Sequence, residues 1–152
     1  MKDNFIVQAL KYGVVGMMNT LLTAITIWIF MHFVFGIKGD MNASTVAISV
    51  SNTVGYVVGL INSFLWNRSW TFKSDKSWKT DLWKFTAAFL ICFLSQLLLV
   101  NLLNTYVNLT SVHFVLLGKE YLVSFAYICQ LIGIVFYTVI NFLCNKYYTF
   151  KK

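Results

Sequence analysis

Four long apolar stretches, separated by shorter polar segments, make up most of the chain. The first runs from about Tyr12 to Phe35 and the second from about Ser44 to Trp66. The third covers about Trp83 to Thr105, the fourth about Tyr121 to Cys144. Each reaches the roughly 20 apolar residues that carry a helix across a bilayer. The apolar positions run continuously and do not alternate, which excludes a transmembrane barrel. The pattern predicts an all-α membrane protein with four transmembrane helices in a single domain over 1–152. The connections are a tight turn over 36–43, a polar loop over 68–82, and a longer segment over 106–120 that holds His113.

Composition agrees with this reading. Hydrophobic residues make up 59% of the chain and charged residues only 11%, against about 25% charged in soluble domains. Proline is absent and 18% of residues are aromatic, as suits unbroken helices with interfacial anchors. The first apolar run is too long for a secretory leader and lacks a small-residue cleavage pattern, so it is expected to stay as the first span.

The net charge of +7 comes from cations that flank the apolar runs. That placement points to topology and lipid phosphates as partners, not to nucleic acid. One side collects Lys2, Lys11, Arg68, Lys73, Lys76, Lys79, Lys84, Lys146, Lys151 and Lys152, while the other has Lys38 and Lys119. The positive-inside rule then puts both termini and the middle loop in the cytoplasm. Trp66, Trp70, Trp78 and Trp83 lie on that side as an aromatic belt; Trp28 is expected deep in the first span.

One stretch occurs twice. Phe64-Leu65-Trp66-Asn67-Arg68-Ser69-Trp70-Thr71-Phe72-Lys73 is matched, 78 residues on, by Phe142-Leu143-Cys144-Asn145-Lys146-Tyr147-Tyr148-Thr149-Phe150-Lys151. The register extends upstream to Gly55/Gly133 and the amide pair Asn52/Gln130. A fixed offset marks an internal duplication, with units of about 5–73 and 78–151. Two spans separate the copies, so the repeat is expected to be parallel, two plus two. The first spans of the units agree weakly: Lys11-Tyr12 and Lys84-Phe85 both open a run, but Gly16-Met17-Met18-Asn19-Thr20 has no clear echo.

No Asp, Glu, Lys or Arg is expected well inside a span, so a proton-coupled carrier has no evident carboxylate. Amides and hydroxyls are plentiful. Asn19, Thr20, Thr23, Asn52, Asn62, Gln96, Gln130 and Asn141 are candidates for a polar path serving a hydroxyl-rich ligand. Interhelical hydrogen bonding explains the same residues. Either way, an amide facing lipid would be left unsatisfied, so these faces are expected to point into the bundle. Cys92, Cys129 and Cys144 lie in apolar runs and show no metal spacing, and no catalytic grouping is visible. Neither a metal nor a cofactor is expected, and the chain is not expected to be an enzyme.

The repeated stretch has two readings. As an anchor, Asn67 and Asn145 end helices, because Asn tolerates the left-handed conformation. Arg68 and Lys146 then complement the helix dipole, with Trp70 and Tyr148 at headgroup depth. As a binding site, two amides and two cations, joined by Lys11 and Lys84, form an inner collar for a lipid phosphate. Arg binds phosphate bidentately and Lys acts as a point charge.

These residues carry a resemblance. Lys11-Tyr12-x-x-x-Gly16-x-x-Asn19-Thr20 resembles the first-span signature of the GtrA-like family of small four-span bacterial membrane proteins. Phe64-Leu65-x-Asn67-Arg68-x-Trp70-Thr71-Phe72 resembles its second-span ending, and the stretch from Phe142 to Phe150 the fourth-span version. Lys146 and Tyr148 depart from Arg and Trp, so the second copy is expected to be the weaker. The resemblance implies movement of a polyprenyl-phosphate-linked monosaccharide across the bacterial cytoplasmic membrane. A partner glycosyltransferase would use the sugar to decorate a surface polymer such as teichoic acid or O-antigen. Four spans enclose little volume, so a homo-oligomer or a lateral groove is expected. The alternative is a non-transporting accessory subunit that stabilises or positions the glycosyltransferase. A small drug exporter would need an embedded Glu, which the first span lacks.

Overall fold

The computed structural model describes residues 4–37, 44–107, 112–116, 119–123 and 125–151. Among these, four helices are long and apolar enough to cross a membrane. They are α1 (Phe5–Ile29), α2 (Thr45–Trp66), α3 (Trp78–Tyr106) and α4 (Phe125–Cys144). Three are prolonged by a π-helical turn: Phe30–Val34 after α1, Asn67–Thr71 after α2 and Asn145–Thr149 after α4. The prolongation takes the first span to 30 residues, a rise of about 45 Å at 1.5 Å per residue.

The helix starts follow local chemistry. The Asn4 side chain accepts from the Val7 amide at 2.9 Å, and Ser44 accepts from the Ala47 amide at 3.2 Å. Both supply a partner to first-turn donors that have none in the helix. Because Asn4 caps α1, the helix begins well before Tyr12; Trp28 falls in the last α-helical turn, before the π-helical turn carries the span on to Val34. There Trp28 stacks on His32 with ring centroids 5.3 Å apart.

The segment between α3 and α4 differs from the expected loop. Val112–Leu116 and Lys119–Val123 pair as an antiparallel hairpin, β1 and β2, with His113 opposite Leu122. Val-His-Phe-Val-Leu and Lys-Glu-Tyr-Leu-Val are rich in the β-branched and aromatic residues that favour strands. Tyr121, the expected start of the fourth span, therefore lies in β2, and α4 begins at Phe125.

The chain divides into two compact units, one reaching Asp75 and the other spanning Lys76–Lys151. In the first, α1 and α2 pack antiparallel: Asn19 meets Asn62 while Thr23 and Ile27 meet Gly55. A Cβ on Gly55 would lie 2.7 Å from Ile27 Cγ1 and 3.1 Å from the Thr23 carbonyl oxygen, and one on Gly59 would strike Thr23 Oγ1. Thr23 uses the closeness to donate to the Gly55 carbonyl at 3.2 Å. In the second unit Gly133 packs in the same way against Val100 and Gln96.

The two units therefore correspond by two offsets. Gly55/Gly133 differ by 78, but their neighbours Thr23/Gln96 and Ile27/Val100 differ by 73. Val15 and Ala88, also 73 apart, are both buried. The five extra residues lie in the connection that carries the hairpin. The echo of the first span was faint because its register shifts. Asn19, bonded to Asn62 at 2.6 Å, corresponds to the buried Cys92, whose thiol donates to Cys144 Sγ at 3.7 Å.

Gly55→Ala is expected to cost about 1–3 kcal/mol, because the Thr23 backbone cannot rotate away from the new methyl. Gly13→Ala, with nothing within 4 Å of its Cβ position, should instead stabilise α1 by about 1 kcal/mol. Thermal unfolding of both variants in the same detergent checks the contrast.

Candidate functional site

The repeated stretch does not end its helices at the asparagine. Asn67 has φ −65° and ψ −43°, which is ordinary right-handed helix. The chain runs on for a wider turn, and the Phe72 amide donates to the Asn67 carbonyl at 2.9 Å. Phe150 donates to Asn145 in the same way at 2.9 Å. The left-handed residue of the first copy is Lys73, at φ 49°, followed by a bond from the Ser74 amide to the Arg68 carbonyl at 2.9 Å. The expectation that Asn closes the helix in a left-handed conformation is thus corrected. Asn67 and Asn145 open a π-helical turn, a rare feature often found at functional sites.

The turn sorts its side chains. Asn67 and Thr71 are both 1% exposed, and Asn145 and Thr149 are fully buried. Arg68 and Lys146 are half-buried, as is Trp70, while Tyr148 is exposed. The partner helix of each unit adds a cation and a ring. Lys11 Nζ lies 5.2 Å from the Trp70 ring centroid, and Lys84 Nζ lies 5.3 Å from that of Tyr148. Tyr12 meets Phe72, and Phe85 meets Phe150, each pair at 6.3 Å between centroids. Lys146 Nζ also sits 5.6 Å from Tyr147 and 5.9 Å from Phe142. A lysine above an aromatic face keeps its charge in place, and the contact is worth about 0.5–2 kcal/mol.

Beneath this layer the polar atoms are only half used. Asn67 Nδ2 donates to Ser63 Oγ at 3.2 Å. Asn145 Nδ2 donates to Asn141 Oδ1 at 3.1 Å, and Asn141 Nδ2 donates to the Tyr137 hydroxyl at 3.1 Å. Asn67 Oδ1, Asn145 Oδ1, Thr71 Oγ1 and Thr149 Oγ1 are buried and have no hydrogen-bond partner among the described residues. An unsatisfied buried polar atom costs about 1–3 kcal/mol. The same two atoms, the asparagine Oδ1 and the threonine Oγ1, are left so in each copy. The arrangement offers hydroxyls and amides under a positive, aromatic rim, which is chemistry for an anion carrying hydroxyl groups.

The candidate polar path is less continuous. Asn19, Asn62 and Thr23 line the α1–α2 contact, and Asn52 is half-buried on α2. In the second unit Gln96 lies against Gly133 and Asn141 is buried beneath Asn145. Thr20 is exposed and donates to its own helix at the Gly16 carbonyl, 3.1 Å away. Gln130 is exposed on α4. The expectation that all these residues face inward therefore fails for Thr20 and Gln130; a hydroxyl can bond the carbonyl four residues back and needs no neighbouring helix.

One residue of the segment expected to be a polar loop is helical and buried. Asp81 is in the first turn of α3 and fully buried. It stands 73 residues after Gln8, whose Oε1 is buried without a hydrogen-bond partner among the described residues. Its signal was the helical spacing to Lys84 and Phe85, three and four residues on.

The family model described as GtrA/DPMS, transmembrane domain, matches residues 11–150. The chain belongs to the GtrA/DPMS transmembrane-domain family. The matched region opens at Lys11, the cation over Trp70, and closes at Phe150, the ring against Phe85. GtrA/DPMS membership and the four long apolar helices make this a multi-pass membrane protein of polyprenyl-phosphate-sugar processes. No curated protein matches the chain.

Asn67→Leu should hold or raise the melting temperature, since an apolar side chain of similar size removes a half-satisfied buried amide. An anchor that depends on the amide predicts a drop of about 1–2 kcal/mol instead. Thermal unfolding in detergent separates the two outcomes.

Proposed function

We propose that this GtrA/DPMS protein flips a polyprenyl-phosphate-linked monosaccharide across the bacterial cytoplasmic membrane. The sugar would then glycosylate a surface polysaccharide such as teichoic acid or O-antigen. The observation that carries the reading is the doubled helix end. Each copy has two buried oxygens with no hydrogen-bond partner among the described residues, under a rim of cations and aromatic rings. Arg68 and Lys11 in the first unit, and Lys146 and Lys84 in the second, engage the phosphate. The Asn67, Thr71, Asn145 and Thr149 oxygens accept from sugar hydroxyls. Asn19, Asn62 and Thr23 continue the polar surface along the first helix pair, while the polyprenyl chain stays in lipid.

The chain acts as a transporter, not an enzyme, in this reading. Consumption of the sugar by an outward-facing glycosyltransferase drives the movement downhill, so no ion coupling is needed. Both termini and the loop between α2 and α3 lie in the cytoplasm, where the cations concentrate. A homo-oligomer or a lateral groove supplies the volume that four spans lack.

Purified protein in vesicles with a polyprenyl-phosphate sugar in one leaflet should make the sugar accessible in the other, faster than protein-free vesicles. Arg68→Gln and Lys146→Gln should each lower the rate at unchanged protein amount. Movement at the protein-free rate would contradict the proposal. Recovery of activity only with a bound glycosyltransferase would favour an accessory subunit.

A further inference from the structure

The two copies of the repeated stretch are backed differently. On α4, Tyr137, Asn141 and Asn145 follow one another at four-residue spacing and share a face. They form a hydrogen-bonded ladder. Asn145 Nδ2 donates to Asn141 Oδ1 at 3.1 Å, and Asn141 Nδ2 donates to the Tyr137 hydroxyl at 3.1 Å. Asn141 and Asn145 are buried, while the half-buried Tyr137 ring stands edge-on to Phe89 of α3, with centroids 6.5 Å apart. At the offset of 78 the first unit has Gly59, Ser63 and Asn67 in these places. There the series has one step behind the amide, where Asn67 Nδ2 donates to Ser63 Oγ at 3.2 Å.

The backing decides which atom of each amide meets a ligand. Asn67 Oδ1 and Asn145 Oδ1 are both buried, with no hydrogen-bond partner among the described residues. A serine hydroxyl can donate or accept. It therefore bonds Asn67 in either orientation, and that amide can turn over by itself. Asn145 cannot, because turning it alone would set its oxygen against Asn141 Oδ1. Reversal requires both amides and the Tyr137 hydroxyl to turn together. An amide oxygen accepts only, and the oxygens of an ionised phosphate are acceptors too. A group seated on Asn145 Oδ1 must donate, and on a lipid-linked sugar the donors are the sugar hydroxyls. A buried acceptor of this kind discriminates strongly against an analogue that lacks the donor.

We propose, on the lipid-linked-sugar reading given above, that the second copy recognises the sugar hydroxyls. Asn141 and Tyr137 are its positioning residues: they hold Asn145 Oδ1 as a fixed acceptor. Asn67, in the first copy, adapts to a donor or an acceptor.

Calorimetric titration of the purified full chain in detergent micelles tests the assignment. The probes are a short-chain isoprenyl phosphate hexose (the tightest of glucose, galactose and mannose), its per-O-methylated form, and bare isoprenyl monophosphate. Methylation removes every sugar donor and keeps the oxygens. The wild type should bind the hexose about tenfold or more tighter than the methylated form, the size of one hydrogen bond to a buried acceptor. Asn141→Ser installs the residue of the first copy, and Tyr137→Phe removes the far end of the ladder. Either change lets Asn145 turn its Nδ2 toward the ether oxygens, so the preference should fall to about threefold or less. Bare monophosphate should bind no more weakly than to the wild type. A ladder that only supports the fold would lower the melting temperature and leave the preference intact. That result, no preference in the wild type, or binding of the monophosphate alone would overturn the assignment while leaving phosphate capture standing. No binding of any probe would overturn both. If Asn141→Ser fails to fold by its melting curve, Tyr137→Phe decides, since it removes a single oxygen.

Discussion

A polar group in hydrocarbon has no water to turn to, so every donor and acceptor in a span must find its partner within the protein. Most of this chain obeys that constraint locally. Thr20, Thr26, Thr53, Thr86, Ser95, Asn101 and Thr138 each donate to the carbonyl four residues back on their own helix. Asn19 and Asn62 satisfy each other across the α1–α2 contact, and Thr23 reaches the Gly55 carbonyl there. Close approach of the helices depends on Gly55 and Gly59 in one unit and on Gly133 in the other. Among the described residues the departures gather largely at the helix ends, at Gln8, Asn67, Thr71, Asn145 and Thr149, with Ser51 as an isolated case on α2.

Four of these oxygens, on Asn67, Thr71, Asn145 and Thr149, lie in the π-helical turns. An α-helix continued through Asn67 would place Thr71 one position differently around the axis. The wider turn keeps Asn67 and Thr71 both buried and leaves Arg68 at the rim. The turn is repeated at Asn145 with the same closing bond to a phenylalanine amide. Lys11 and Lys84 come from the other helix of each pair, so each site needs its helix pair assembled. Packing through the glycines and chemistry at the ends are therefore coupled within each unit.

Much of this was legible in the sequence. Continuous apolar runs revealed the four spans, and the identity of Asn-x-x-aromatic-Thr-Phe-Lys revealed the duplication. Helix boundaries were less legible, because caps such as Asn4 and π-helical turns extend helices into polar residues that hydropathy excludes. The hairpin was hidden by its position between two spans. The first-span repeat was hidden because its offset is 73 while that of the second span is 78, and because Asn19 became Cys92. Asp81 was read as loop, since an acidic residue among Lys79, Thr80 and Lys84 resembles solvated chain. The burial of Asp81, Phe85, Ala88 and Cys92, with Phe85 against Phe150, shows that this face is packed.

The central claim is that the unpartnered oxygens of the π-helical turns are ligand contacts and not tolerated defects. Dipolar-coupling NMR between the phosphorus of a bilayer-embedded isoprenyl phosphate and threonine-labelled protein tests it directly. A Thr71 signal dephased by phosphorus, identified by its loss in Thr71→Val, is the result expected, with Thr20 and Thr138 unaffected. Dephasing confined to exposed threonines, with none at Thr71 or Thr149, would contradict the account.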